Sequence, residues 1–377
     1  MKHDFLTRRQ NLRKKLDTFV RSTSAKTSAA DTGFLVTNNT NVSYLTGFTG
    51  SSGYLLAGQS SEILMSDSRY SSQLESECKG LEIDIRDSSS TIIDSVIRIA
   101  KASNYKTIVY ESDTLTKSQY DQLESRLTGL DLVGSSGIVE QLRSIKDESE
   151  IAAIRHSIEV NERAFEAIRA QLAPEQTELQ VAHQLENEMR NLGAKGFAFD
   201  PIVGVGERSA LPHGYPTEKR IAESPFVLID WGAEVNQYRS DLTRVLVTSK
   251  IPSEYRAIYE VVLQAQVAAI NSIRAGVSLK TVDAAARSVI ESAGYGEQFG
   301  HGLGHSFGLE IHEKPFISPI HEGTLEAGMV VTVEPGIYLP GFGGARIEDD
   351  VLVTLDGNEV LSKIPKQIDE CTVDLNG

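Results

Sequence analysis

Residues 226–247 read FVLIDWGAEVNQYRSDLTRVLV, two apolar runs joined by a polar stretch with turn-forming residues. The first run ends in Asp230, and Asp241 opens the second. Two such runs on either side of a short connection are typical of an antiparallel hairpin, which would bring both aspartates to one end of the paired strands. Because strands disfavour aspartate and an unpaired buried carboxylate is costly, the two residues are either a functional pair or exposed turn residues.

A similar arrangement with glutamates occurs further along the chain. The run MVVTVE ends in Glu334, and a further strand is predicted for ARIEDDVLVT at residues 345–354, which contains Glu348. Alternation along that strand places Glu348 and Asp350 on one face and Asp349 on the other. The spacing does not decide which of these three carboxylates points inward.

The histidines are unevenly distributed along the chain. Of eight, five lie between His213 and His321, and three of those stand in GHGLGHSFGLEIHEKP at residues 300–315. Glycines on both sides of His305 allow the backbone to approach a ligand closely. Taken alone, a cluster of this kind is more often a set of surface or core side chains than a ligand site.

Together these features predict a metal centre of four carboxylates and one imidazole, drawn from Asp230, Asp241, Glu334, one of the acids at residues 348–350 and a histidine of the glycine-rich segment. Mutual repulsion would forbid four carboxylates at one place unless cations neutralised them. Oxygen-rich ligands with one histidine favour Mn²⁺ or Co²⁺. Two ions about 3.5–4 Å apart could share carboxylates and a water, whose pKa would fall toward neutrality. The residues alone therefore indicate a metal-dependent hydrolase.

The length of 377 residues is sufficient for two domains. In the first part, short apolar runs alternate with helical patterns, which indicates an α/β domain at residues 1–137 that ends at the turn-rich GSSG of 134–137. The elements expected there are strands 33–37, 62–66 and 107–110 and helices 4–20 and 92–102.

Residues 138–377 are expected to form a second domain, in which helices accompany a largely antiparallel sheet. Isoleucines at three- and four-residue spacing before Pro174 predict a helix at residues 151–172, and Thr177 with Gln180 has the pattern of a capping box. The other predicted elements are helices 177–192, 253–273 (capped by Ser253) and 279–293, and strands 226–230, 241–248, 329–334 and 345–354.

Composition excludes several classes of partner. Lysine and arginine number 37 against 52 acidic residues, a formal net charge of −15, so neither a nucleic acid nor an anionic membrane is an expected partner. No run approaches the 18 or so apolar residues that span a bilayer, and the N-terminal residues show no signal-peptide pattern. Cys78 and Cys371 are expected to be thiols in a reducing cytoplasm, with a lone disulfide as the alternative.

The metal-site motifs resemble those of the creatinase, aminopeptidase P and prolidase family of "pita-bread" metallopeptidases. The resemblance rests on LIDWGAEVNQYRSDLTR, GLGHSFGLEIHEKP, VVTVEPGIY and GGARIEDDVLV, and in the first domain on YLTGFTGSSG and SDSRY. It implies an α+β protein, with a creatinase-like α/β N-terminal domain followed by a pita-bread catalytic domain with a largely antiparallel sheet. It also implies a homodimer.

By matching position, the resemblance implies that Asp241 and Glu348 bridge two divalent metals. Asp230 would complete one metal site, and His305 and Glu334 would complete the other. Glu334 would also accept a proton from the attacking water, since one carboxylate can both bind a metal and relay a proton.

Other residues match family positions around the metals. His213, His301 and His312 correspond to histidines that contact the substrate or the reaction intermediate, and His213 and His312 are expected to line the pocket for proline. Arg346 corresponds to an arginine beside the last metal ligand, which supports the site through an acidic partner.

The activity that the resemblance implies is metal-dependent hydrolysis of the bond between an N-terminal residue and a following proline, as in an Xaa-Pro aminopeptidase. Mn²⁺ is the expected metal, with Co²⁺ or Zn²⁺ as alternatives. FTGSSG and SDSRY favour aminopeptidase P over an Xaa-Pro dipeptidase (prolidase), and cleavage of dipeptides only stays the alternative. A metal-free binding scaffold of the same fold is the alternative outside enzymes. The expected partners are peptides with proline at the second position and a second copy of the chain.

Overall fold

The structure, a computed structural model, describes residues 3–23, 28–59 and 61–375. By its internal contacts the chain divides into two units, Met1–Arg143 and Ser144–Gly377. Within the described ranges, none of the helices combines the length and the apolar character that crossing a membrane requires.

The described part of the first unit contains six strands and six α-helices. The strands are β1 (Thr32–Val36), β2 (Tyr54–Gly58), β3 (Glu62–Asp67), β4 (Glu82–Arg86), β5 (Thr107–Glu111) and β6 (Asp131–Ser135). The helices are α1 (Phe5–Ser22), α2 (Asn39–Thr46), α3 (Ser71–Glu77), α4 (Ile92–Ala102), α5 (Lys117–Arg126) and α6 (Ile138–Arg143).

The six strands form one mixed sheet in the order β4-β3-β2-β1-β5-β6. β1 pairs antiparallel with β2 and parallel with β5, and the pairs at both edges of the sheet are parallel. Capping boxes at Thr91 and Thr116 begin α4 and α5. The predicted helices 4–20 and 92–102 are observed as α1 and α4, and the three predicted strands as β1, β3 and β5.

The second unit is richer in strands. In its described residues the strands are β7 (Gly196–Phe197), β8 (Ile202–Val205), β9 (Phe226–Trp231), β10 (Ala233–Val235), β11 (Tyr238–Arg239), β12 (Leu242–Val247), β13 (Gly304–Ser306), β14 (Glu313–Ile317), β15 (Val330–Val333), β16 (Gly336–Leu339), β17 (Gly343–Arg346), β18 (Asp349–Val353) and β19 (Asn358–Val360). The helices are α7 (Glu148–Gln171), α8 (Glu178–Asn191), α9 (Ser253–Ser272) and α10 (Leu279–Ser292).

All strand pairs of the second unit are antiparallel in the part of the chain that the structure describes. They form a five-stranded sheet, β14-β13-β15-β18-β19, two three-stranded sheets, β12-β9-β8 and β11-β10-β7, and the pair β16-β17. The predicted fold class, an α/β domain followed by a domain with a largely antiparallel sheet, is confirmed by the two units.

β9 lies between two hydrophobic cores. Val227, Ile229 and Trp231 face the core of α7 and α8, where Trp231 stacks on Phe165 with ring centroids 4.2 Å apart. Phe226 and Leu228 face the other core, built around α9 and α10. Because both faces of the strand are buried, its sequence reads as a continuous apolar run instead of an alternating one.

Several predictions of detail were wrong. Pro252 holds the N-cap position of α9, and Ser253 is the first helical residue, without a capping hydrogen bond. The strand predicted at residues 345–354 is two strands, because β17 pairs with β16 and β18 pairs with β15. The strands that sequence reasoning missed are mostly two to five residues long, too short for a clear apolar period.

Candidate metal centre and active site

Strand pairing brings the two aspartates of the predicted hairpin to one place. β9 and β12 pair antiparallel with Asp230 opposite Thr243, and Asp241 lies immediately before β12. Only 8% of Asp230 and 5% of Asp241 are exposed. The alternative that these are exposed turn aspartates is therefore wrong.

Of the three acidic residues after Ile347, Glu348 and Asp350 lie on one face and Asp349 on the other. Oε2 of Glu348 accepts a hydrogen bond of 2.7 Å from the hydroxyl of Thr243. Oδ2 of Asp350 accepts one of 3.3 Å from the backbone N–H of Asp241. Asp349 points away and is bound by a separate buried group, Arg244, Gln266, Ser362 and Lys366. The alternation predicted along this strand is therefore observed.

His305 and Glu334 stand beside these carboxylates. His305 is the middle residue of β13, and Glu334 directly follows β15. Nε2 of His305 lies 3.3 Å from Oε1 of Glu334 and 3.7 Å from Oδ2 of Asp241. Nδ1 of His305 lies 3.1 Å from the carbonyl oxygen of Ser306, which can only accept, so Nδ1 is the donor there. That leaves Nε2 as the ring atom that faces the carboxylates, as in many metal-binding histidines.

The geometry of the carboxylates fits divalent cations. Asp230, Asp241 and Glu348 each offer one oxygen, and the three oxygens lie within 4.8 Å of one another. Within the described residues, Oδ1 of Asp230 and Oε1 of Glu348 are buried and have no hydrogen-bond partner. Buried carboxylate oxygens normally have a partner, and hard cations are the partners that oxygen ligands favour.

The pKa shifts in the cluster have the same physical origin. Burial, and then the charges of neighbouring carboxylates, raise the pKa values of Asp241 and Glu348 well above their usual range. Burial would raise the pKa of Glu334 too, but the hydrogen bond and charge of His305 lower it to about 2. Bound cations would instead lower the pKa values of Asp241 and Glu348, because positive charge favours the ionised carboxylates.

A chain of hydrogen bonds runs from Asp230 to His301. Arg346 donates from Nη2 to Asp230 and from Nη1 to the hydroxyl oxygen of Tyr338 at 2.7 Å. The Tyr338 hydroxyl lies 3.0 Å from Nε2 of His301, whose Nδ1 lies 2.7 Å from the carbonyl oxygen of Gly302. Because that carbonyl only accepts, Nδ1 of His301 donates to it and the Tyr338 hydroxyl donates to Nε2. The acidic partner expected for Arg346 is thus Asp230.

The nine residues singled out from the sequence line one cavity of about 900 Å³. They are His213, Asp230, Asp241, His301, His305, His312, Glu334, Arg346 and Glu348. The rings of His305 and His312 meet edge to face, with centroids 4.5 Å apart. Phe199, Tyr215 and Phe316 add aromatic surface to the wall, so the cavity combines a charged floor with apolar sides.

Sequence reasoning missed two polar residues that hold the site together. The hydroxyl of Thr243 donates to Glu348 and accepts from Nε of Arg346 at 3.1 Å. Tyr338 joins Arg346 to His301, as described above. Threonine and tyrosine are common in strands, so neither residue type signals a site. The only sequence hint is that Tyr338 stands four residues after Glu334.

Arg287 on α10 was also missed. Its guanidinium pairs with Asp283 at 2.8 and 2.9 Å and donates to the backbone carbonyls of Phe299 and His301. In the sequence, Arg287 and Asp283 look like an ordinary exposed ion pair one helical turn apart. Only the folded chain reveals that this pair supports the backbone of His301.

Two family models match the chain. Residues 152–355 match metallopeptidase family M24, and residues 23–145 match the creatinase/prolidase N-terminal domain. The M24 match alone covers more than half of the 377 residues and contains the whole carboxylate cluster.

Similar proteins have been solved or characterised. An Xaa-Pro dipeptidase from Bacillus anthracis is 39% identical, with a TM-score of 0.90, covering 97% of this chain and 99% of that one. An X-Pro aminopeptidase from Thermotoga maritima MSB8 is 38% identical, with a TM-score of 0.83, covering 89% and 96%. An Xaa-Pro dipeptidase from Pyrococcus furiosus is 40% identical over 275 residues, which are 73% of this chain and 78% of that protein.

Proposed function

Because this chain belongs to metallopeptidase family M24, and so is a metallopeptidase, we propose that it hydrolyses the bond between an N-terminal residue and a following proline, as an Xaa-Pro aminopeptidase. The observation that carries the proposal is the convergence of the nine site residues in one cavity, with buried carboxylate oxygens that lack a partner within the described chain. The similar proteins named for action on Xaa-Pro bonds support the choice of substrate.

The residues that would hold two divalent ions are the five predicted from the sequence. Asp230, Asp241, Glu334 and Glu348 would hold the ions through carboxylate oxygens, and His305 would hold them through Nε2. The oxygen-rich set favours Mn²⁺, with Co²⁺ or Zn²⁺ as alternatives. When bound, the ions would lower the pKa of a water toward neutrality, so that it could give up a proton and attack a peptide carbonyl.

The side chains of the cavity do the remaining work. The Glu334 carboxylate would accept the proton of the attacking water, since the hydrogen bond and charge of His305 outweigh the effect of burial and hold its pKa low. His213 and His312 line the cavity where the proline ring and the carbonyl oxygen would lie. Arg346 keeps Asp230 oriented through its hydrogen bond, while Tyr338 steadies Arg346.

Proline explains why a dedicated site is needed. The nitrogen of an Xaa-Pro bond carries no hydrogen, so it offers no N–H for a protease to bind, and its ring restricts the backbone. The aromatic wall of Phe199, Tyr215 and Phe316 gives this ring an apolar surface.

The charges of the cavity favour longer peptides over dipeptides. Of the described lining residues, Arg287 and Arg346 are the arginines and none is a lysine, and both arginines are engaged, with Asp283 and Asp230 respectively. A dipeptide would bring its terminal carboxylate beside the proline ring, where burial without a free cation is costly. In a longer peptide that charge lies at least one residue, about 3.5 Å, further out.

A strict Xaa-Pro dipeptidase is the second candidate. It is favoured by the names of the Bacillus anthracis and Pyrococcus furiosus proteins, which are 39% and 40% identical to this chain. The two candidates differ only in the length of peptide that the cavity accepts.

A peptide panel tests the proposal. We expect the full chain with Mn²⁺ to release arginine from Arg-Pro-Pro and to leave the matched peptide Arg-Ala-Pro intact. Cleavage of Ala-Pro but not Arg-Pro-Pro would establish the dipeptidase instead, and equal cleavage of Arg-Ala-Pro would refute specificity for proline. Removal of metal with a chelator should abolish all cleavage, and fresh Mn²⁺ should restore it.

One further proposal rests on the family resemblance alone. We propose that the chain forms a homodimer, which light scattering after size exclusion would measure. A cytoplasmic location stays a prediction from the sequence.

A further inference from the structure

Glu178 is a buried acid that the reaction described above does not use. It is the first residue of α8, and its side chain is fully buried, with 0% exposed. An acid in the first turn of a helix is usually exposed and interacts with the free N–H groups there. In α8 the capping box of Thr177 and Gln180, together with two backbone carbonyls, accepts from those N–H groups, so the carboxylate of Glu178 can bind another segment.

The carboxylate of Glu178 accepts hydrogen bonds from three residues of one segment. Oε1 accepts from the backbone N–H of Val205 at 2.8 Å, and Oε2 accepts from the N–H of Thr217 at 2.8 Å and from its hydroxyl at 2.6 Å. Nε of Arg208 lies between the two oxygens, at 3.1 and 2.9 Å. Every neighbour of the carboxylate in these contacts is a donor, and Arg208 neutralises its charge.

These contacts close a loop that enters the active-site cavity. We call residues 206–216 the His213 loop, because Val205 and Thr217 flank it and His213 lies within it. His213 and Tyr215 both line the cavity, and Nη2 of Arg208 donates across the loop to the carbonyl oxygen of Tyr215 at 2.5 Å. One carboxylate therefore binds the residues at the two ends of the loop and, through Arg208, is linked to Tyr215 near its second end.

The start of α8 is joined to the same segment by its backbone. The N–H of Glu178 donates to the carbonyl of Lys219 at 3.0 Å, and the N–H of Leu179 donates to that of Thr217 at 3.1 Å. The loop is therefore attached to the N-terminal end of α8, and the side chain of Glu178 fixes the distance between the two ends of the loop.

We propose that Glu178 is a positioning residue for the reaction, which fixes the His213 loop and through it the placement of His213 at the substrate. The inference rests on the proposed function in one respect, that His213 contacts the substrate. A shift of about 1 Å in a group that touches the substrate can lower the rate about a hundredfold.

The variant Glu178→Gln tests the anchor with little change of shape. An amide presents one NH₂ group, which must face at least one of the donors around it, so the contacts that close the loop cannot all form. Hydrogen exchange followed by mass spectrometry should show amides of residues 206–217 exchanging at least about tenfold faster than in the wild type. Glu186→Gln is the matched control, because Glu186 lies on the same helix in an exposed pair with Arg190. Its exchange pattern should stay that of the wild type.

A double-mutant cycle tests whether Glu178 acts through His213. With Arg-Pro-Pro as substrate, Glu178→Gln should lower kcat/KM about 10- to 100-fold while the affinity for Co²⁺ stays that of the wild type. In a His213→Ala background the same change should have less than about a twofold effect, because the group it positions is gone. A purely structural role would instead lower kcat/KM by the same factor in both backgrounds.

Thr217→Val, which removes a single hydroxyl from the carboxylate, replaces Glu178→Gln if that variant fails to fold. Unchanged exchange in residues 206–217 would overturn the anchor, and equal losses in the two backgrounds would overturn its link to His213. If the wild type cleaves no Xaa-Pro peptide, the proposed function fails and the positioning role with it, while the exchange data still decide whether Glu178 fixes the loop.

Discussion

Tyr338→Phe removes one oxygen atom from the centre of the chain of hydrogen bonds that joins Asp230 to His301. That oxygen accepts from Nη1 of Arg346 at 2.7 Å and donates toward Nε2 of His301 at 3.0 Å. Only 8% of Tyr338 is exposed, so water does not readily replace the hydroxyl. The variant leaves the aromatic ring in place, which isolates the effect of the two hydrogen bonds.

The expected loss of stability follows from these two contacts. A hydrogen bond to a charged group contributes about 1.5–3 kcal/mol, and a neutral one about 0.5–1.5 kcal/mol. Tyr338→Phe should therefore lower the free energy of unfolding by about 3 kcal/mol. Arg346 keeps its contact with Asp230, so metal binding should persist. His301 loses a positioning contact at the cavity, so kcat/KM should fall about 10- to 100-fold.

Urea unfolding of the metal-free protein measures the stability change, and hydrolysis of Arg-Pro-Pro measures the activity. Tyr120→Phe is the matched control, because among the described residues its hydroxyl bonds only the exposed Glu124, and it should behave as the wild type in both assays. If Tyr338→Phe keeps kcat/KM within about twofold and stability within about 0.5 kcal/mol, the chain of hydrogen bonds does not support the site, and the reasoning fails.

Three further predictions concern the metal, a buried thiol of the first unit and the core around Trp231. Asp241→Ala should abolish both metal retention, measured by elemental analysis, and peptide hydrolysis. Asp369→Asn is the control and should change neither, because the side chain of Asp369 is 80% exposed. An active Asp241→Ala enzyme would contradict the two-ion site. Burial raises the pKa of the Cys78 thiol from 9.0 to about 11, so at pH 8 its thiolate fraction is about a hundredfold lower than in the unfolded chain. Titration with a thiol reagent should find Cys78 correspondingly slow in the native state, and equal rates before and after unfolding would contradict this. Phe165→Ala should lower the free energy of unfolding by about 3–5 kcal/mol, measured by thermal or urea unfolding, because it leaves a cavity against Trp231. A loss under about 1 kcal/mol would show that this core collapses around the cavity.

The carboxylates proposed to bind metal were visible in the sequence because Asp230 and Glu334 each end an apolar run and Asp241 opens one. Asp230 and Asp241 flank a single turn region, so pairing of the two runs was enough to place them together. For residues 348–350 the sequence could only separate two faces, and it took the pairing of β18 and the contacts of Asp349 to assign each side chain.

The supporting residues were not visible for a physical reason. Tyr338, Thr243 and Arg287 act through partners that lie far away in the chain or on another element, and none breaks the expected pattern of its own strand or helix. Glu178 is the clearest case, since in the sequence it has the place of an ordinary first-turn acid. What identifies such residues is burial together with complete hydrogen bonding, and a single sequence contains neither.

The position of β9 between two cores restricts the register in which this strand can pair with β12. A slip of one residue against β12 would put Ile229 or Trp231 where Asp230 now stands, and it would also turn every side chain of the strand toward the opposite core. Such an error would cost most of the packing of both helix pairs, so a stably folded chain with a misplaced carboxylate is not an accessible outcome. The position of Asp230 therefore depends on the core residues of β9, which do not bind an ion. A chain in which β9 pairs in the wrong register should be unfolded, instead of folded and inactive.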